Sequence, residues 1–158
     1  MLTQARLKEL LEYDPETGIF RWLRGSFASR KAGGPGNEGY WRIWVDGQFY
    51  NASRLAWFYV TGAWPPHQID HINRVPDDNR WINLRAATQS QNKANSGCYR
   101  NNQLGIKGVR LHRNGQYEAR LRVNGELVYL GCYRTIDEAK AVYDAAALDA
   151  FGDFARSV

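Results

Sequence analysis

The sequence predicts an α+β protein in two parts: a strand-loop-strand-helix unit, then a three-stranded antiparallel sheet packed on one helix. Three observations predict it. Asn114-Gly115 and Asn124-Gly125 stand ten residues apart between strand-like runs, and each pair suits the positive φ angles of a tight hairpin. Thr88 with Gln91, and Thr135 with Glu138, form the capping boxes that open helices. Hydrophobic spacing changes from period two over 117–123 to helical spacing over 139–150.

Taken in order, Leu2 to Leu11 reads as a short amphipathic helix, Asp14-Pro15-Glu16-Thr17-Gly18 as a turn, and Ile19 to Leu23 as a strand. Arg24 to Glu38 carries four glycines, one proline and three basic residues, and is expected to be a loop that stays mobile or orders on a partner. It lacks G-K-[ST] and so is not a phosphate-binding P-loop. Gly39 to Tyr50 reads as a hairpin turned at Asp46-Gly47, and Ser53 to Val60 as a short helix. Ile69 to Ile72 and Trp81 to Leu84 are expected as strands, before the helix opened by Thr88.

Residues 93–105, KANSGCYRNNQLG, are polar and turn-rich and read as a linker between domains 1–97 and 98–158. Beyond it, 106–112, 117–123 and 126–131 form a meander. Tyr117, Ala119, Leu121 and Val123 alternate with Glu118, Arg120 and Arg122, giving one apolar and one charged face. The helix after Thr135 presents Ala139, Val142, Tyr143, Ala146 and Ala150 in one stripe, ends at Gly152, and covers the apolar face. Arg110, His112, Arg120 and Arg122 are left facing outward.

The chain has 158 residues, 44% hydrophobic and 23% charged, which suffices for a core and excludes a disordered polymer. Its apolar runs fall far short of the roughly 20 residues a spanning helix needs, so no membrane span is expected. The first 25 residues show no apolar signal segment, which predicts an intracellular, cytoplasmic protein of a bacterium or a phage-infected host. Two cysteines, Cys98 and Cys132, are too few for a four-cysteine zinc site or a disulfide framework, so a zinc-finger RNA binder is excluded. A net charge of +5 favours a polyanionic partner. The charge is sorted: Arg100 to Arg122 holds six basic residues and one acidic, whereas Thr135 to Phe154 holds Lys140 against five acids.

Chemistry concentrates between Gln68 and Asn95. Asp70 and His71 fall on the first expected strand, Asn83 lies 12 residues after His71, and Asn92 lies 22 after Asp70. Compact folding of strand, loop, strand and helix would bring the four together. A neutral imidazole at His71 suits removal of a proton from water near neutral pH. Asp70 and the Asn92 amide are hard oxygen donors of the kind Mg²⁺ takes. Asn83 ties the loop so that the His71 ring keeps its orientation. Pleating sends Asp70 and His71 to opposite faces, so both serve one centre only where the strand ends or twists.

In Asp70-His71, in Asn83 of N-L-R, in Asn92 of S-Q-N, and in the flanking R-L-A-W at Arg54 to Trp57 and D-D-N-R at Asp77 to Arg80, the sequence resembles the HNH endonucleases of phage and mobile introns. That resemblance implies a ββα-metal site that cuts double-stranded DNA. His71 would be the general base, Asp70 and Asn92 the ligands of one divalent ion, Mg²⁺ or Mn²⁺, and Asn83 the brace of the loop. One departure is Ser53, where the family commonly carries a histidine.

Residues 105 to 156 similarly resemble the Apetala2/ethylene-response-factor DNA-binding domain. The likeness rests on G-V-R at Gly108 to Arg110, Y-E-A-R-L-R at 117 to 122, Leu130-Gly131, and E-A-K-A-V-Y-D-A-A at 138 to 146. It implies that the sheet enters the major groove with Lys107, Arg110, His112, Arg122 and Tyr129 as contacts, and alternation along the strand adds Arg120 to the same basic face. Asn114, Arg120 and Leu127 depart from the plant pattern, so base preference does not transfer. The expectation is therefore a metal-dependent HNH endonuclease targeted by a sheet-reading domain. The alternative is a DNA-binding regulator with an inactive HNH module.

Overall fold

The computed structural model describes residues 1–99 and 101–156, and its contacts divide the chain after Ala87 into a first unit, 1–87, and a second, 88–158. The division thus falls ten residues before the expected cut after Gly97. Its cause lies in the stretch read as a linker. Ala94 is buried in the second unit's core, and the Lys107 ammonium donates to the carbonyls of Lys93, Ala94 and Ser96 at 2.5, 2.7 and 3.0 Å. Residues 93–105 belong to the second unit's fold, with Arg100 lying outside the described residues.

In the first unit, Thr3 caps helix α1 (Gln4–Leu10) by accepting from the Arg6 amide. The chain then turns directly into a hairpin of β1 (Leu11–Asp14) and β2 (Ile19–Trp22). Asp14 builds the turn by accepting from the Glu16 amide and the Thr17 hydroxyl at 2.9 and 2.7 Å. The expected glycine-rich loop is anchored: Ala32 is fully buried, its amide donates to the Phe20 carbonyl, and its carbonyl accepts from Trp41 Nε1 at 2.8 Å. The short strand β3 (Gly34–Pro35) then pairs with β4 (Trp41–Val45), which pairs with β5 (Gln48–Asn51). Asp46 and Gly47, at φ 45° and 84°, form the expected turn.

Helix α2 (Ala52–Thr61) stops at Gly62 in the left-handed region. Leu7, Leu11, Phe20, Ile43, Val45 and Leu55 fill the core. The hairpin of β6 (Gln68–His71) and β7 (Leu84–Ala87) closes the unit, with Asp70 opposite Arg85 and His71 opposite Leu84. The second of these strands begins later than expected, because Trp81–Asn83 forms a 3-10 turn.

The second unit opens with α3 (Gln89–Asn95) and its capping box of Thr88 and Gln91. Strands β8 (Val109–Leu111), β9 (Tyr117–Val123) and β10 (Glu126–Tyr133) form an antiparallel sheet in the order β10-β9-β8. Asn124 and Gly125 both adopt positive φ, whereas at the other Asn-Gly pair Gly115 alone does. Strand β8 is shorter than expected, because Asn102 holds the preceding segment in a turn through the Ile106 carbonyl and the Leu104 amide.

Helix α4 (Ile136–Phe151) carries the capping box of Thr135 and Glu138 and buries Ala139, Tyr143, Ala147 and Phe151. Of the expected stripe, Ala139 and Tyr143 are buried and Ala146 packs against the same core, whereas Ala150 is exposed. Ala119 and Leu121 meet the helix from the sheet. Among the described residues no helix is long and apolar enough to cross a membrane.

Candidate nuclease centre and basic sheet

The loop between β6 and β7 is built from side-chain amides. Asn83 Oδ1 accepts from the Asn73 amide at 2.9 Å, while its Nδ2 donates to Asn73 Oδ1 at 2.9 Å and to the Asp78 carbonyl at 2.7 Å. Asn73 Nδ2 in turn donates to Asp78 Oδ2 at 2.6 Å. Arg80 donates to both Asp78 oxygens, and these bonds, ahead of the one from Asn73, hold that carboxyl down at about 2. R-L-A-W anchors the same loop from outside. Arg54 Nη1 donates to the His67 carbonyl just before β6 at 3.0 Å, Leu55 and Ala56 are in the core, and Trp57 packs against Trp81 with centroids 5.5 Å apart.

His71 closes β6 and is 5% exposed. Its Nε2 lies 3.2 Å from Asn79 Oδ1. Asn79 Nδ2 is already given to the Asp77 carbonyl at 3.0 Å, which turns Oδ1 toward the ring. An amide oxygen only accepts, so in this contact Nε2 donates. Asn79 is itself buried, and its carbonyl accepts from the Tyr13 hydroxyl at 2.7 Å. Sequence reasoning missed this residue, since within D-D-N-R an asparagine reads as turn chemistry. Tyr40 flanks the imidazole, with ring centroids 6.0 Å apart.

Asp70 is buried on the same strand, and its Oδ2 accepts from Arg85 Nε at 2.8 Å. Arg85 is its register partner, so the ion pair follows from strand pairing. Ser53 is buried in the first turn of α2. Asn92 is half-buried on α3 in the second unit. Among the described residues no three His, Cys, Asp or Glu side chains converge. Taken each by itself, the Asp70 carboxylate and the Asn92 amide oxygen are hard donors of the kind Mg²⁺ takes.

In the second unit, register places Arg110 opposite Glu118, Tyr129 opposite Arg120, and Leu127 opposite Arg122, so these share the face turned from α4. Arg122 Nη1 donates to the Gly125 carbonyl at 2.5 Å. His112 is exposed just past β8, its Nδ1 3.1 Å from Asn114 Oδ1, and the exposed Tyr129 hydroxyl donates to Cys132 Sγ at 3.3 Å. Lys107 precedes β8, and its ammonium is engaged by the carbonyls at the end of α3. A cleft of about 720 Å³ within this unit is lined by Lys93, Lys107, Arg110, Arg120 and Arg122 together with Leu121 and Tyr143, and no carboxylate among the described residues lines it. Glu118 departs from expectation, for it is buried beneath its arginine neighbours.

In the first unit, then, a buried histidine ends a hairpin strand and is held by a loop of interlocked amides. Residues 50–94 match the HNH endonuclease family, a stretch that runs from the end of β5 almost to the end of α3. That match suggests a nuclease acting on DNA. No curated protein matches the chain.

Proposed function

We propose that the protein is a divalent-metal-dependent DNA endonuclease of HNH type whose second unit grips the duplex through its sheet. The single observation that carries the reading is the His71–Asn79 tether inside the family-matched stretch: it holds a buried imidazole, the kind of group a general base requires, at the end of β6. His71 takes the proton of the attacking water. Asn79 holds the ring, and Asn83 holds the loop that carries Asn79. Asp70, and by sequence pattern Asn92, would hold the metal, Mg²⁺ or Mn²⁺, which when bound neutralises charge on the scissile phosphate and its leaving oxygen. Arg85 competes for one Asp70 oxygen and orients that carboxylate.

The second unit's role is supported by the Apetala2 likeness of residues 105 to 156 and by the arginines sharing one sheet face. Arg110, Arg120, Arg122, His112, Tyr129 and Lys107 are the proposed DNA contacts. Relaxation of supercoiled plasmid tests the catalytic part. The protein should nick or cut with Mg²⁺ or Mn²⁺, stop with EDTA, and lose cutting in His71→Ala while still retaining duplex DNA. Undiminished cutting by that variant would remove His71 from the reaction. The buried Ser53, where the family commonly has histidine, favours the second reading, a DNA-binding regulator with an inactive module. Absence of metal-dependent cutting by the wild-type chain, with DNA retained, would select it.

A further inference from the structure

Glu118 stands at the middle of the basic sheet face, and at 2% exposure it is among the most deeply buried large side chains of the protein. It does not meet the helix, since the pleat turns it toward the arginines. Arg110, its register partner on β8, donates from Nε and Nη2 to Glu118 Oε2 at 2.9 and 2.7 Å. Arg120, two residues along β9, donates from Nε to the other oxygen, Oε1. One carboxylate thus engages two guanidinium groups by their Nε edges.

That geometry has a consequence for recognition. A guanidinium has two edges able to make paired hydrogen bonds, Nε with Nη2 and Nη1 with Nη2. With the Nε edge of Arg110 committed to Glu118, the opposite edge is left for another partner, on a side chain 56% exposed. A long flexible side chain becomes a fixed fork, and a fixed fork loses little freedom when it meets paired acceptors. In the major groove such acceptors are guanine O6 and N7. As a stabilising device alone, a buried ion pair does no better than apolar packing of similar volume. As an aiming device it has no apolar substitute.

We propose that Glu118 is a positioning residue for sequence discrimination, holding Arg110 and Arg120 so that their outer edges meet base edges rather than phosphates. This rests on the reading of the sheet as the duplex-binding face. Glu118 also subtracts one charge from that face, so affinity and discrimination respond to it in opposite directions. Removing its charge strengthens attraction to any DNA while freeing the forks to swing.

The test uses the full chain in EDTA, so that nothing is cut. A pool of randomised duplexes is selected on the wild-type protein, and affinities for the enriched sequence and for the unselected pool are then measured. Glu118→Gln should bind the pool as tightly as wild type or up to about threefold tighter, yet lose on the order of tenfold in the ratio of selected to unselected affinity. Arg110→Lys, which keeps the charge without the fork, should lose the ratio similarly, and the double variant should lose no more than either single one. Should Glu118→Gln fail to fold, the Arg110→Lys ratio decides, and a ratio kept there overturns the proposal.

An unchanged ratio in a folded Glu118→Gln, or a parallel fall in both affinities, would reduce Glu118 to a scaffold residue. Failure of the underlying reading looks different: the wild type enriches no sequence, and Arg122→Ala leaves retention on the pool unchanged. The proposal then falls with the sheet's role.

Discussion

Asn79 shows how one amide decides what a histidine can do. Its oxygen accepts from Nε2, and its nitrogen is fixed by the Asp77 carbonyl, so the His71 ring is held by a residue eight positions away. Asn79→Ala removes the acceptor and should lower the single-turnover cutting rate about 10- to 100-fold with DNA retention unchanged. Asn79→Asp places an anion beside the ring and favours imidazolium. The rising limb of the pH–rate profile should then move to higher pH, and an unmoved limb would sever Asn79 from the base. Asp78 makes a prediction about the loop itself. The Arg80 bonds hold its carboxyl at about 2, below the ordinary ~3.9. A carboxyl depressed in the folded state stabilises above its unfolded value, and this stability is lost as pH falls from about 4 to about 2. Asp78→Asn should therefore melt below wild type at pH 6 and converge with it by pH 2 in thermal scans.

Two glycines govern how the elements close. A Cβ on Gly18, at φ +72°, would stand 2.4 Å from the backbone of Asn79 and Arg80, so the β1–β2 turn fits under the amide loop only without a side chain. On Gly108, at φ +70°, a Cβ would stand 2.0 Å from the Tyr143 ring and 2.5 Å from the Arg120 carbonyl. Each Gly→Ala change should cost at least about 2 kcal/mol in chemical denaturation. Gly18→Ala should fall chiefly on cutting, and Gly108→Ala chiefly on duplex retention; equal effects of both on both readouts would contradict the division of labour. What could be read beforehand follows the same line. Helix α4, the Asn124-Gly125 turn and both capping boxes are local chemistry and stand in the chain as pattern. The 3-10 turn at Trp81–Asn83 looked like a strand, because Trp, Ile and Leu suit either. Asn79 was hidden because its value comes from contacts such as the Tyr13 hydroxyl, 66 positions earlier. Alternation put Glu118 on the correct face, but its burial comes from two arginines that only register brings over it.

At the scale of the whole chain, charge and chemistry are apportioned differently between the units. Residues 1–87 carry eleven basic and nine acidic side chains, and residues 88–158 carry ten and seven. Five of the latter acids fall between Asp137 and Asp153, on α4 and the turn after it, which leaves the opposite sheet face strongly basic. Phosphate neutralisation releases counterions, so affinity should fall steeply with salt, whereas a proton transfer at His71 should not. Raising salt from about 50 to 200 mM is then expected to weaken duplex binding about 500-fold, for roughly five phosphate contacts. The single-turnover rate at saturating protein should stay within about twofold, as steps confined to the bound complex do. Arg122→Ala should flatten the salt slope by about one contact and spare the saturated rate, and His71→Ala should do the reverse. A saturated rate that fell with salt as steeply as affinity would mean that the sheet proposed to grip the duplex takes part in the bond-breaking step, and the separation of the sheet's binding from the chemistry at His71 would have to be given up.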